Sequence, residues 1–333
     1  MDLQALSGLL RLERERQGLS FITVAEKGGF SNESAVRRLE REDTNPTLRS
    51  LQRYANALGV KLSFNLERMT ILTAFNHAGG VAKTSTVRDL GVTLAQLGAK
   101  VLLIDADPQG NLSFGLGVRE TTLEQTIYPA IIDELPLPKP LEVHGLHLIP
   151  SHLDLMQLEI KIPSIIMGIT NLRNAVRKLE GYDIVLIDAP PSLAPIATSA
   201  AIAADQLLVP IPTKSKGLES LSTVMNMVNS FRRAAPTLGI ALFVVTQFDS
   251  RIGHHKSALE SIRASLPRIA PVSSPLIYRP SVYDRAQLEG IPVPLLDPRD
   301  EAVKRSIEEI MIVATELLER LGVNYGTHAP DQA

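Results

Sequence analysis

Residues 69–86, Met-Thr-Ile-Leu-Thr-Ala-Phe-Asn-His-Ala-Gly-Gly-Val-Ala-Lys-Thr-Ser-Thr, limit the folds open to this chain more than any other stretch. The first eight, apolar and β-branched, read as a buried strand ending at Asn76. Gly79 and Gly80 permit a tight loop, and Lys83-Thr84-Ser85 opens a helical pattern that runs to Leu97. A strand, a glycine loop and a helix beginning Lys-Thr form a phosphate cradle, in which backbone N–H groups and the helix N-terminus face the anion. Lys83 is then placed to neutralise the β- and γ-phosphates, and the Thr84 hydroxyl to ligate Mg²⁺. The strict pattern G-x-x-x-x-G-K-[ST] is not met, because His77 and Ala82 stand where its glycines belong. The competing reading is an ordinary strand-to-helix turn.

Later strands argue against that bland alternative. Val101–Asp105 is a second buried strand and runs into Asp105-Ala106-Asp107-Pro108-Gln109-Gly110-Asn111. Two carboxylates at the C-terminal end of a parallel strand lie where such sheets bind ligands, one suited to a Mg²⁺ shell and the other to orienting water. Asp-Pro-x-Gly is also common turn chemistry, but its place one strand after the loop favours function. Residues 182–187 form a third strand that delivers Asp188 to the same edge, and Pro190-Pro191 stiffens the loop beyond it. His147–Pro150, Gln206–Pro212 and Ile240–Thr246 read as further strands, the last ending at Thr246 and Gln247, where a base-recognition residue can sit. Strand–helix alternation from 69 to 321 predicts an α/β fold: a mostly parallel, doubly wound sheet covered on both faces. The final helix, Glu301 to Leu321, carries Ile307, Ile310, Met311, Ala314, Leu317 and Leu321 on one face.

Residues 1–60 read as a separate small all-α domain. Leu6, Leu9, Leu10 and Leu12 give the first helix an apolar face, and Gly18 stops it. Ser20 is positioned to cap a second helix, Gly28-Gly29-Phe30 to turn the chain, and Ser31 to cap a third helix from Asn32 to Arg41. A fourth follows Pro46 and stops at Gly59. This segment resembles the Cro/repressor-type helix-turn-helix family through Ala25, Gly28 or Gly29 at the turn, Arg38-Leu39-Glu40, and Asn45-Pro46-Thr47-Leu48. The resemblance implies DNA binding, with Asn32, Glu33, Ser34 and Arg37 toward base edges and Arg38, Arg41 and Arg49 toward phosphates. A helical protein-interaction domain with solvated arginines is the alternative, since Glu33, Glu40, Glu42 and Asp43 dilute the basic patch. Residues 61–67 alternate polar and apolar and predict a short strand in a connector spanning 61–68. Residues 323–333 read as a polar tail.

Composition narrows the class. The 333 residues are 44% hydrophobic and 21% charged with a net charge of −2, so any nucleic-acid role needs a local patch. The absence of cysteine excludes disulfides, iron–sulfur clusters and thiolate zinc sites. No apolar run approaches the ~20 residues of a membrane span, and a cytoplasmic protein is expected.

Across residues 69–322 the sequence resembles the ParA/Soj partition ATPases. Their deviant phosphate loop, Lys-Gly-Gly-x-Gly-Lys-Thr, corresponds to Ala78-Gly79-Gly80-Val81-Ala82-Lys83-Thr84, followed by Ser85. Their Asp-x-Asp-Pro-Gln-Gly-Asn recurs from Asp105 to Asn111, and their Asp-x-Pro-Pro-Ser from Asp188 to Ser192. Thr246–Arg251, including Gln247, resembles the family's adenine-side segment. The resemblance implies ATP and Mg²⁺ as ligands, a homodimer formed on ATP, non-specific DNA binding by that dimer, and slow hydrolysis. It also implies a stimulating ParB-like centromere-binding partner, association with the nucleoid, and repression of the chain's own operon through the N-terminal domain. Lys83 and Asp107 are the expected catalytic residues, and Thr84, Asp105 and Asp188 the expected metal shell. Arg232, Arg233, Arg263 and Arg268 are candidates for the non-specific DNA surface. The signature lysine that reaches the partner's nucleotide is Ala78 here, with Lys161, Lys214 and Lys216 as possible substitutes. A nucleotide-sensing repressor with little turnover is therefore the alternative. A MinD-like membrane ATPase is disfavoured because the last helix lacks a basic face, and a nitrogenase-reductase type protein is excluded by the lack of cysteine.

Overall fold

The computed structural model describes residues 3–41, 46–60 and 69–323. The chain divides into two compact units, Met1–Glu67 and Arg68–Ala333. The connecting strand expected at 61–68 and the tail from 324 onward lie outside the described residues.

The described residues of the first unit form four helices: α1 (Leu3–Arg16), α2 (Phe21–Gly28), α3 (Glu33–Leu39) and α4 (Leu48–Ala57). Leu10, Val24, Ala25, Val36, Leu51, Tyr54 and Leu58 meet in its core. Side-chain caps define three helix starts. Ser20 accepts from the Thr23 N–H at 3.2 Å, and Thr47 accepts from the Ser50 N–H at 3.2 Å. α3 is capped by Asn32, which accepts from the Ala35 N–H at 3.0 Å, rather than by the expected Ser31. Asparagine one position later serves the same orphan N–H groups. Both turn glycines are needed, for different reasons. Gly29 adopts φ +65°, the left-handed conformation that closes α2. A side chain at Gly28 would lie 2.6 Å from the Phe30 ring and 3.2 Å from the Arg53 carbonyl oxygen.

The second unit is built on a seven-stranded sheet with the order β3-β4-β2-β5-β1-β6-β7. Its strands are β1 (Thr70–Ala74), β2 (Val101–Asp105), β3 (Leu141–Val143), β4 (Leu146–Ile149), β5 (Ile184–Asp188), β6 (Gln206–Pro212) and β7 (Gly239–Thr246). All neighbours are parallel except the β3–β4 hairpin, in which β4 is the strand expected at His147–Pro150 and β3, just after the proline-rich run at 136–140, was not expected. The parallel strands are near-continuous apolar runs because both faces are covered.

Alternation along the strands sorts side chains into two cores. Ile71, Leu102, Ile104, Val185 and Ile187 pack with α10 (Pro195–Ala203) and α11 (Ser215–Phe231). Leu72, Leu103, Ile184 and Leu186 pack with α5 (Lys83–Gln96) and α14 (Glu301–Leu321). Asp105 follows Leu103 by two residues and Asp188 follows Leu186 by two, so both carboxylates point to the α5 side. They are also register partners across β2 and β5. Strand period and register together place the pair under the start of the phosphate-loop helix. Among the described residues, no helix is long and apolar enough to cross a membrane.

Candidate functional site

The loop between β1 and α5 is anchored before any ligand arrives. The Asn76 side-chain amide donates to the Pro210 carbonyl at 2.9 Å and its oxygen accepts from the Ala78 N–H at 3.0 Å. From the far side, Thr246 donates to the Val81 carbonyl at 3.0 Å, and the Gln247 amide donates to the Gly80 carbonyl at 2.8 Å. Two non-glycine residues beside this loop take left-handed backbone, Ala82 at φ +72° and Gln247 at φ +54°. Such conformations cost of order 1–3 kcal/mol each and concentrate at functional sites.

Lys83 opens α5 and is 6% exposed, with its ammonium donating to the Ala78 carbonyl at 3.0 Å. Burial lowers its pKa, against the opposing influence of the Asp188 and Asp107 charges. The Thr84 hydroxyl donates to Asp188 Oδ2 at 2.7 Å. Asp188 Oδ1 is buried and has no hydrogen-bond partner. Burial, and next the Asp105 charge, push the Asp188 pKa well above the ordinary carboxylate range. A hydroxyl and a half-satisfied carboxylate form an oxygen-only donor set, which suits Mg²⁺, an ion that needs only one or two protein ligands beside phosphate.

Asp105 and Asp107 are brought together on one turn but in different settings. Asp105 is wholly buried, accepting from the Ser113 N–H at 2.8 Å, the Ser113 hydroxyl at 2.7 Å and the Asp107 N–H at 3.2 Å. Burial nevertheless prevails over these bonds and pushes its carboxyl up to about 7. Neither it nor Asp188 lines the cleft; Asp188 sits wholly buried behind Thr84, to whose hydroxyl it is bonded. Asp107 does line it, together with Gly80–Thr86, Asn111, Pro191 and Gln247, around a volume of about 390 Å³. Ser151, just beyond β4, ties the turn down by donating to the Asp107 carbonyl at 2.5 Å. Sequence reading missed Ser113 and Ser151. Ser151's place at a strand's C-terminal end was the available signal. Also missed was α13 (Pro280–Glu289), which brings Tyr283, Asp284 and Gln287 to the cleft.

In the helical unit, Asn32, Ser34, Arg37, Arg38 and Arg41 are all exposed along α3 and its ends. The Asn32 side-chain oxygen is occupied as the helix cap. The Arg37 guanidinium lies 4.4 Å from the Phe21 ring centroid and 3.7 Å from the Glu33 carboxylate. The side chain of Arg49 lies outside the described residues.

A family model described as an AAA domain matches residues 69–240, and a helix-turn-helix model matches residues 10–65. The chain is 43% identical over 251 residues to "Probable plasmid-partitioning protein ParA" of Thermus thermophilus, covering 72% of this chain and 78% of that protein. The chain belongs to the ParA/Soj partition family. "Sporulation initiation inhibitor protein Soj" of Bacillus subtilis is 31% identical over 239 residues, covering 70% of this chain and 94% of that protein. Among solved structures, an ATP complex of a Cyanothece McdA variant aligns with a TM-score of 0.67 at 26% identity, covering 77% of this chain and 97% of that one. A P-loop ATPase unit of the ParA/Soj type, with a helix-turn-helix unit before it, is thus shown.

Against the family pattern, Ala78 contributes a backbone carbonyl to Lys83 where a lysine side chain is expected. Of the substitutes considered, Lys161 donates to the Tyr128 hydroxyl and lies 5.0 Å from that ring. Lys214 lies 5.0 Å from the ring centroid of Tyr278, which lines the cleft. The side chain of Lys216 lies outside the described residues.

Proposed function

We propose that this protein is a DNA-partition ATPase that binds ATP with Mg²⁺, dimerises on it, and slowly hydrolyses it. The observation that carries the reading is the convergence of Lys83, Thr84 and the half-satisfied Asp188 at the strand ends beside Asp107. The loop amides and Lys83 bind the phosphates, and Thr84 and Asp188 hold the metal, which neutralises phosphate charge when bound. Asp107 orients water for in-line attack. Asp105 keeps the turn carrying Asp107 in place, so its share in the metal shell is indirect.

The helix-turn-helix unit reads a specific operator, through which the protein represses its own operon, with Arg38 and Arg41 toward phosphates and Ser34 and Arg37 toward base edges. The ATP dimer binds DNA non-specifically through exposed arginines such as Arg232, Arg233, Arg263 and Arg268, and is stimulated by a ParB-like centromere-binding partner. It works in the cytoplasm on the nucleoid. Ala78 favours a second reading, a nucleotide-sensing repressor with little turnover.

Calorimetry and turnover assays on two variants test the proposal. Lys83→Ala should abolish ATP binding. Asp107→Ala should keep ATP affinity while turnover falls by ~10²–10⁴-fold. Unchanged ATP affinity in the first variant sinks the phosphate-loop assignment, and equal turnover in the second removes Asp107 from the chemistry. A wild type that binds ATP but shows no turnover, with DNA and partner present, selects the repressor reading.

A further inference from the structure

Resting on the nucleotide reading above, we infer that the ring of Tyr278, with the Lys214 ammonium over it, is the stacking platform for the nucleotide's base and selects purines over pyrimidines. The phosphate end of the cleft is fixed by Lys83 and the loop. Beyond the loop, the segment Leu276-Ile277-Tyr278 adds apolar and aromatic side chains to the cleft, beside the polar Asp284 and Gln287 of α13. Gln247, the residue that strand order suggested for base recognition, has its amide committed to the Gly80 carbonyl and serves as a clasp on the loop. Tyr278 instead is 41% exposed and lines the cleft.

The backbone that carries this ring is held on both sides. Residues 276–278 run beside the end of β7: the Leu276 N–H donates to Val245 at 2.9 Å, the Phe248 N–H to Leu276 at 3.1 Å, and the Tyr278 N–H to Phe248 at 2.9 Å. Glu309 of α14 accepts from the Ile277 N–H at 3.1 Å and from both terminal nitrogens of Arg279 at 2.8 Å. Lys214 is fixed at its root, because Thr213 donates through its N–H to the Thr246 carbonyl and through its hydroxyl to the Gln247 carbonyl, each at 3.2 Å. A cation over an aromatic face is attracted by the ring quadrupole and restrains it. A fixed aromatic face stacks any base, but a purine's two fused rings cover more of it than a pyrimidine's one.

The test is titration calorimetry on the full chain with Mg²⁺, using ATP, CTP and inorganic tripolyphosphate. Wild type should bind ATP about tenfold more tightly than CTP, and Tyr278→Ala should weaken ATP about tenfold, erase the preference, and leave tripolyphosphate within about twofold. Tyr278→Phe should behave as wild type, and Lys214→Met should lose about two- to threefold for ATP alone. The inference is overturned if Tyr278→Ala keeps wild-type ATP affinity, if it loses ATP and tripolyphosphate equally, or if wild type does not distinguish ATP from CTP. A wild type that binds neither ATP nor tripolyphosphate overturns the nucleotide reading itself.

Discussion

Both units of this molecule bury charge, but they treat it differently. In the helical unit, Arg14 donates to both Glu40 oxygens at 2.7 and 2.9 Å and to the Leu19 carbonyl at 3.1 Å, and Tyr54 adds its hydroxyl to Glu40. The network joins the end of α3 to α1 and α4, and no oxygen of Glu40 is left over. Arg88 and Asp89 on α5 are likewise matched through two bonds at 2.8 and 3.0 Å. At the strand ends, by contrast, among the described residues Asp188 keeps an unpartnered oxygen and the Lys83 ammonium donates only to a loop carbonyl. A satisfied buried charge is complete and holds elements together. An incompletely satisfied one costs free energy until a ligand completes it.

Three measurements break or sharpen that contrast. The largest effect is expected in the helical unit. Glu40→Ala leaves Arg14 buried without its carboxylate and should destabilise that unit by about 3–5 kcal/mol in urea unfolding, with ATP affinity unchanged. A loss below about 1 kcal/mol would mean that the network is not structural.

The second effect is a pH dependence of the nucleotide-free ATPase unit. Asp105 ionises near 3.8 when unfolded and is pushed up to about 7 by burial, so between these values the native state holds a proton that the unfolded chain has released. The native state then binds more protons than the unfolded one, and stability must fall as pH rises from about 4 to about 7. The decline should be on the order of 2 kcal/mol between pH 5 and 7, with Asp188 acting in the same direction. Unfolding of wild type and Asp105→Asn at the two pH values checks this. A wild-type stability that is flat or rises with pH contradicts it.

The smallest effect concerns the loop. Ala82 holds a left-handed conformation that costs an L-residue about 1–2 kcal/mol, partly offset by the greater unfolded-state freedom of glycine. Ala82→Gly should therefore raise the stability of the ATPase unit by about 1 kcal/mol or less. A shift of the urea midpoint downward would show that something other than backbone strain governs this position.

Much of the architecture was legible in the chain. The apolar runs at 101–105 and 184–188 are strands because both sheet faces are covered, and their terminal aspartates fall at the ligand edge by strand polarity alone. The helix boundaries of the first unit follow from Ser20, Pro46 and the glycine turn, although the caps of α3 and α4, Asn32 rather than Ser31 and Thr47 just after Pro46, came from the structure. Strand β4 was legible from His147 to Pro150, but its antiparallel partner β3 has only three residues, too few for a periodic signal, and directly follows the prolines at 136–140.

By itself the sequence determined the class of fold, the phosphate loop and the three motifs that surround it, since these depend on local patterns and on motif order. Tertiary structure alone decided how the motif residues divide the work. Asp105 and Asp107 stand two apart on one turn, yet Ser113 takes both backbone and hydroxyl bonds to the first and leaves the second facing the cleft. Gln247 turns to the loop while Tyr278, thirty-one residues later, lines the cleft. Which hydrogen bonds a side chain finds depends on neighbours supplied from distant positions, and no local pattern encodes those neighbours.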